Sequence, residues 1–435
     1  MRSSYEFPLS AMVEYSACGA VRRIAMRVVL SGLLLIAPAQ WLNAQQPPSF
    51  ADADLRGAAI FEQSAATGMV LVMVRNSDVM MRSYGETFPG SGDRPHANSL
   101  IRLCSISKVL AADLLMELTK EGKVALTDPL QRFAPPNTIV PKSAGGTPIT
   151  LRDLATHTSG LPREVGAYPA DTPHFTFPDQ NFRWTWLPKR RLISRPGTAA
   201  LYSNIGFDLL GDALASAANK TYAQLLDERI VRSLGLRDTT LTPSREQCAR
   251  LLFGTRDEGP CTDTQASGSS GGVYSTADDM VRMLQYWLHV PGASAQVAPA
   301  ITVYLEPAHL RSVQGLSHAG DPTGIGLGWI QLGDPNGPST LIEKTGGGAG
   351  FLTYVALSLK RQTGIFLAVT DGRRRPHVNL FHEANDLLTA LAGVPPLPPS
   401  AHQVHPARKR RPRAPRPAPL CLWLPRMHQA RAASS

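Results

Sequence analysis

The sequence predicts an α+β fold: an antiparallel sheet flanked by helices, with a mostly helical inserted subdomain. Three observations predict it. Two apolar segments, Met69 to Val74 and Val79 to Tyr84, flank Asn76-Ser77-Asp78 and read as a hairpin. Three more, Leu341 to Lys344, Phe351 to Leu359 and Ile365 to Val369, read as consecutive antiparallel strands. Between these two sets runs a Pro- and Gly-punctuated stretch with no internal repeat. Strands at both ends of a helical middle give this class rather than alternating β and α units.

Taken in order, the chain opens on an export signal, residues 1–44. Arg22, Arg23 and Arg27 precede an apolar run from Val28 to Ala37, too short to span a bilayer. Small residues follow at Ala37-Pro38-Ala39 and Leu42-Asn43-Ala44, two cleavage points. Met26-Arg27 begins a compact signal by itself, so residue 26 is an alternative start. An uncleaved anchor or a buried helix is the rival reading. Tyr15-Ser16-Ala17-Cys18 lies before the apolar run, the wrong side for a lipoprotein box.

After the hairpin, Ile106 to Leu118 carries Val109, Leu110, Leu114, Leu115 and Leu118 at helical spacing. A helix from Asn379 to Leu391 closes the body, residues 45–395. From Pro396 the composition turns to Pro, Arg and Ala, including Arg408-Lys409-Arg410-Arg411. Three readings of that tail stand open: disorder, contact with anionic lipid head groups at the inner membrane, or a reading-frame artefact. A functionally silent tail is preferred.

The net charge of +10 belongs to these ends. The tail holds 8 of the 44 Lys and Arg residues and residues 1–44 hold 4, leaving 44 − 8 − 4 = 32. The body keeps 34 − 2 = 32 acids, so it is formally neutral and no nucleic-acid partner follows. No His or Cys cluster has ligand spacing, so no metal is expected. Cys248 and Cys261 lie in a loop-like region. In an oxidising compartment they form a disulfide worth roughly 3 kcal/mol, or remain two thiols.

Three short patterns carry the chemistry, and each occurs once. In Ser105-Ile106-Ser107-Lys108, a helix start puts Ser105 and Lys108 on one face, with Ser107 pointing elsewhere. The helix N-terminus favours negative charge on Ser105 and offers N–H groups to an oxyanion. In Tyr202-Ser203-Asn204, before an apolar run from Ile205 to Leu210, a tyrosine can act as base where lysine ammoniums stabilise its phenolate. In Lys344-Thr345-Gly346, followed by Gly347, a strand edge lets substrate backbone approach. Lys344 supplies charge for a carboxylate, Thr345 a hydroxyl, and Gly347 a second oxyanion N–H. Singly, each has a plain alternative: a capped helix, a packed tyrosine, a Gly-rich turn. Gly268-Ser269-Ser270-Gly271-Gly272 matches G-x-S-x-G but lacks the preceding strand that motif needs.

Together the three patterns, in this order, resemble the penicillin-binding and class C β-lactamase superfamily. The resemblance covers nearly all of residues 55–395. It includes Arg82 to Glu86, Asp128-Pro129-Leu130, Leu154 to Pro162, Gly271 to Thr276, and the pair Cys248 and Cys261. It implies a β-lactamase/transpeptidase-like fold and a cleaved signal leading to the periplasm. It further implies a serine D-alanyl-D-alanine carboxypeptidase/endopeptidase that acts on peptidoglycan muropeptides, binds β-lactam antibiotics and uses no cofactor. By that resemblance Ser105 is the nucleophile, Tyr202 and Lys108 handle its proton, and Ser105 and Gly347 N–H groups hold the oxyanion. Lys344 and Thr345 hold the carboxylate, Gly346 keeps the strand open, and Asn204 bonds the substrate amide. His157 is expected to be structural. Cys104, beside the nucleophile, stands where a smaller residue is expected. A class C β-lactamase shares these residues, a carboxylesterase has less need of Lys344, and a binding module would have lost a motif.

Overall fold

The computed structural model describes residues 49–255, 259–290, 298–372 and 378–400. The expected signal, most of the basic tail, Cys18 and Cys421 lie outside the described residues. No helix among the described residues is long and apolar enough to cross a membrane.

The chain enters helix α1 (Phe50–Ser64), whose first turn is closed by a capping box between Ser49 and Asp52. Strands β1 (Gly68–Arg75) and β2 (Asp78–Gly85) follow as an antiparallel hairpin. Asn76 makes the turn in the left-handed region at φ 55°, which its short polar side chain tolerates.

A short strand β3 (Ile101–Arg102) leads to a 3-10 turn, Cys104–Ile106, and then to α2 (Ser107–Lys120). The middle of the chain contributes α3 (Leu151–Ala155), α4 (Gln180–Trp186), β4 (Ala200–Leu201) and α5 (Asn204–Ala218). It continues through α6 (Tyr222–Leu226), α7 (Arg245–Cys248), β5 (Tyr274–Ser275), α8 (Ala277–Trp287) and α9 (Ala298–Ile301). The chain returns through β6 (Val313–Gln314), β7 (Pro322–Ile325), β8 (Ile330–Leu332), β9 (Leu341–Gly348), β10 (Phe351–Ser358) and β11 (Thr363–Thr370). Helix α10 (Leu380–Leu391), capped by Asn379, closes it.

Seven strands form one antiparallel sheet in the order β2-β1-β11-β10-β9-β8-β7. The first hairpin therefore joins the last three long strands through β1 and β11, in register Val72↔Phe366. Both faces are covered. Val70, Val72, Val74, Phe366 and Val355 face a core shared with α2, α5 and α8. Met69, Leu71, Met73, Ile365 and Leu367 face a second core under α1 and α10. That double burial is why these strands read as continuous apolar runs rather than alternations. Each such side chain, fully buried, contributes about 1.5–3 kcal/mol.

Two expected boundaries shift. The helix expected from Ile106 starts at Ser107, with Ser105 in the tight turn ahead of it. The body also runs past residue 395: Leu397 packs on the second core, and Ser400 Oγ donates to Asp321 Oδ1 at 2.8 Å. Partial burial of Leu397 and that hydrogen bond hold these residues against the sheet, whatever their Pro-rich composition suggests. Cys248 and Cys261 are joined by a disulfide.

Candidate active site

Three elements converge on Ser105. The turn before α2 presents its hydroxyl, the start of α5 brings Tyr202 and Asn204, and β9 brings Lys344. Their approach depends on Gly346, where a Cβ would meet Thr353 Oγ1 and come within 2.8 Å of the Leu103 carbonyl. Thr353 Oγ1 donates to that same carbonyl at 2.9 Å, stitching the sheet to the turn that carries Ser105. Cys104 is buried in the left-handed region, its Sγ 3.4 Å from Gly348 O, on the same seam.

Lys108 lies one turn after Ser105 and is wholly buried. Its Nζ reaches Ser105 Oγ at 3.3 Å, Asn204 Oδ1 at 2.7 Å and the Ser270 carbonyl at 2.5 Å. Burial pushes its pKa down to about 7, against the pull of Asp208 and Glu164. Tyr202 donates to Ser105 Oγ at 2.5 Å. Three cations lie over its ring: Lys108 at 4.8 Å, Lys344 at 5.0 Å and Arg163 at 4.8 Å. Lys344 is buried on the cleft face of β9, and desolvation lowers its pKa while the nearby Tyr202 and Glu343 oppose the shift.

Asn204 opens α5 behind the N-cap Ser203, whose Oγ accepts from Gly206 N–H at 2.9 Å. Gly347 lines a cavity of about 430 Å³ together with Ser105, Asn204 and Ser270. Thr345 follows Lys344 along β9, which pairs with β10 through the whole motif but with β8 only over residues 341–343. One edge of Lys344–Gly348 is thus open to a bound chain.

The structure brings the three sequence patterns to one point. It also assigns the G-x-S-x-G stretch a different part: a 3-10 turn, Gln265–Ser267, precedes it instead of a strand, and the Ser270 carbonyl holds Lys108. Ser107 Oγ donates to Cys104 O and accepts from Val273 N–H, a structural pair of bonds.

Four residues with a direct bearing on the site carried weaker sequence signals. His157 stacks on Tyr202 with ring centroids 4.6 Å apart. Its Nδ1 accepts from Ser203 N–H at 3.1 Å, so its proton sits on Nε2. Burial and the cations Lys344, Lys108 and Arg163 hold it neutral. Asp208 sits buried inside the apolar run after Asn204, its carboxyl pushed up to about 6 by burial. An acid within such a run is the signal that finds it. Arg163 and Glu164 directly follow the Leu154–Pro162 stretch, and only their charge marks them.

A family model described as Beta-lactamase matches residues 57–389. The chain belongs to the β-lactamase family. Within that family, the D-alanyl-D-alanine-carboxypeptidase/endopeptidase AmpH of Escherichia coli (strain K12) is 42% identical over 377 residues, 85% of this chain and 98% of its own length. The human protein named putative beta-lactamase-like 1 is 32% identical over 49% of this chain and 45% of its own. Among solved structures, a beta-lactamase/D-alanine carboxypeptidase from Yersinia pestis complexed with citrate matches at 38% identity and a TM-score of 0.75. That match covers 79% of this chain and 99% of the other. A class C β-lactamase mutant aligns with a TM-score of 0.64 at 18% identity, a likeness of fold, covering 79% and 96% of the two chains.

Proposed function

We propose that this chain is a serine D-alanyl-D-alanine carboxypeptidase/endopeptidase of peptidoglycan stem peptides, working through an acyl-enzyme on Ser105. The observation that carries it is the pair of proton-handling groups at one hydroxyl: Tyr202 OH at 2.5 Å and Lys108 Nζ at 3.3 Å from Ser105 Oγ. The relatives named above support the substrate class.

Chemically, Lys108 with its pKa near 7 is in part a free amine at neutral pH. In that form it takes the Ser105 proton as Oγ attacks the D-alanyl carbonyl. The tetrahedral oxyanion sits between the backbone N–H groups of Ser105 and Gly347. Tyr202 gives its proton to the leaving amine, and the three cations over its ring stabilise the phenolate left behind. Lys344 and Thr345 bind the substrate carboxylate. Water, deprotonated by Tyr202, then releases the acyl group. A β-lactam carries its own carboxylate and strained amide, so it acylates the same serine. The enzyme belongs in the periplasm, delivered by the signal in residues 1–44, with the catalytic domain running to residue 400 and a basic tail beyond it that touches the inner membrane peripherally at most.

The test incubates the exported protein and Ser105→Ala with a fluorescent penicillin and with a muropeptide ending in D-Ala-D-Ala. Lasting label on Ser105 with release of D-alanine is the expected result. Fast penicillin turnover without D-alanine release would make it a β-lactamase. Neither label nor release would return a carboxylesterase of the same fold to first place.

A further inference from the structure

The side chain that holds Asn204 is Glu164. Asn204 Nδ2 donates to Glu164 Oε1 at 2.5 Å, while the other carboxylate oxygen accepts from Tyr168 OH at 2.7 Å. The backbone reinforces the pairing. Arg163 O accepts from Asn204 N–H at 2.9 Å, and Ser203 Oγ donates to Pro162 O at 2.6 Å. Residues 162–164 are therefore stitched to 203–204 by both main chain and side chain.

Donor and acceptor chemistry makes the amide orientation unambiguous. A carboxylate only accepts, so the atom facing Glu164 is Nδ2, and Oδ1 turns to Lys108. Around Lys108 Nζ there are then two pure acceptors, Asn204 Oδ1 and Ser270 O. A neutral amine has two hydrogens. Both go to those acceptors, and the lone pair is left for the third neighbour, the Ser105 hydroxyl. Were the amide flipped, Nδ2 would donate into that lone pair and Oδ1 would face the carboxylate, acceptor against acceptor. The base would be consumed by its neighbour.

We propose that Glu164 is a positioning residue for acyl transfer: its carboxylate fixes the Asn204 amide so that Lys108 directs its lone pair at Ser105. The inference rests on the acyl-enzyme reading above. It also revises the part expected of Asn204. In the free enzyme its Nδ2 is committed to Glu164, so the residue acts on the reaction through Lys108 rather than through the substrate amide.

Charge adds a second readout. The groups facing Lys108 are Asp208 from α5, Glu164 and Arg163 from the loop after Pro162, and Tyr202, Cys104, Lys344 and His157. Glu164 favours the ammonium form. Removing its charge makes that form less favourable, so the acid limb of a reaction needing the free amine moves to lower pH.

The experiment measures single-turnover acylation by fluorescent penicillin from pH 5.5 to 9. It uses the full chain as wild type, Glu164→Gln, Glu164→Asp, Asn204→Ala and the Asn204→Ala/Glu164→Gln pair. Glu164→Gln is expected to slow acylation at saturating probe about tenfold, a fraction of what loss of a general base costs. Half-saturation stays within about twofold, and the acid limb falls to lower pH. Glu164→Asp keeps the charge, so its limb stays near wild type. In the Asn204→Ala background Glu164→Gln slows the reaction no further. An unchanged rate and limb in Glu164→Gln, or a full additive loss in the Asn204→Ala background, would overturn the proposal. A wild type that takes no label would instead sink the nucleophile assignment.

Discussion

Lys108 and Asp113 lie five residues apart on α2, both fully buried, and burial has moved both out of their ordinary range. Lys108 has three oxygen partners around its nitrogen, two pure acceptors and the Ser105 hydroxyl, and its pKa falls to about 7. Asp113 has one donor, Trp287 Nε1 at 3.0 Å on Oδ2, while Oδ1 has no partner among the described residues. Its carboxyl is pushed up to about 8 by burial. On the far face of the sheet, Glu343 Oε2 likewise has no partner among the described residues, and burial pushes its carboxyl up to about 8. The same desolvation acts at all three sites. Only at Lys108 is the shifted group aimed at something that can react, and that aim comes from the hydrogen-bond partners rather than from burial.

The largest effect that could break this contrast is at Lys108 itself. Lys108→Met fills a similar volume and is expected to lower penicillin acylation about 10²–10⁴-fold. Far-ultraviolet circular dichroism should stay native. Retention of more than a hundredth of the wild-type rate would remove Lys108 from the chemistry.

Asp113→Asn sharpens the other half. The wild-type carboxyl holds its proton in the folded state up to about pH 8 and releases it near pH 4 when unfolded. The folded state therefore binds more protons between those values, and stability falls as pH rises through them. The loss is at most about 1.4 kcal/mol per pH unit. Lys108 gives the opposite slope only above its folded value of about 7. Urea midpoints at pH 5 and pH 7 thus stay below the Lys108 effect, and since the buried neutral His157 opposes the carboxyls there equally in wild type and variant, their difference isolates Asp113. The variant should lose part of the wild-type decline between them and acylate within about twofold of wild type. An unchanged slope would mean that Asp113 titrates normally.

Glu343→Gln should flatten the same slope by a similar amount, since its carboxyl is raised for the same reason. Its smaller signature is at the neighbouring Lys344. Above pH 8 the lost carboxylate no longer favours the ammonium, and KM for a substrate with a free carboxylate should rise, by less than about threefold. A change in kcat with KM constant would place Glu343 in the proton pathway instead.

Much of this architecture was legible along the chain. The hairpin, the strands near residues 341–369 and the closing helix were all visible as apolar runs between turn residues. The short pairs β3–β5 and β4–β6 were not, because two-residue strands have no periodicity of their own and exist only through their partners. The cleft divides in the same way. Ser105 and Lys108 declare themselves by helical spacing, and Lys344 by its glycines. Glu164 and Asp208 are single charges with no spacing rule, and the Ser270 carbonyl is a backbone atom that any residue could supply.

By itself, then, the sequence determined which groups are available: one serine, two lysines and a tyrosine in three local patterns, on elements whose hydrophobic runs demand a doubly covered sheet. Only the tertiary structure decided their states. Whether Lys108 is an ammonium or an amine depends on water being excluded from it. Where its lone pair points depends on an amide, a carbonyl and a carboxylate drawn from three distant segments. Desolvation and hydrogen-bond direction are properties of a packed volume, and no local run of residues encodes them.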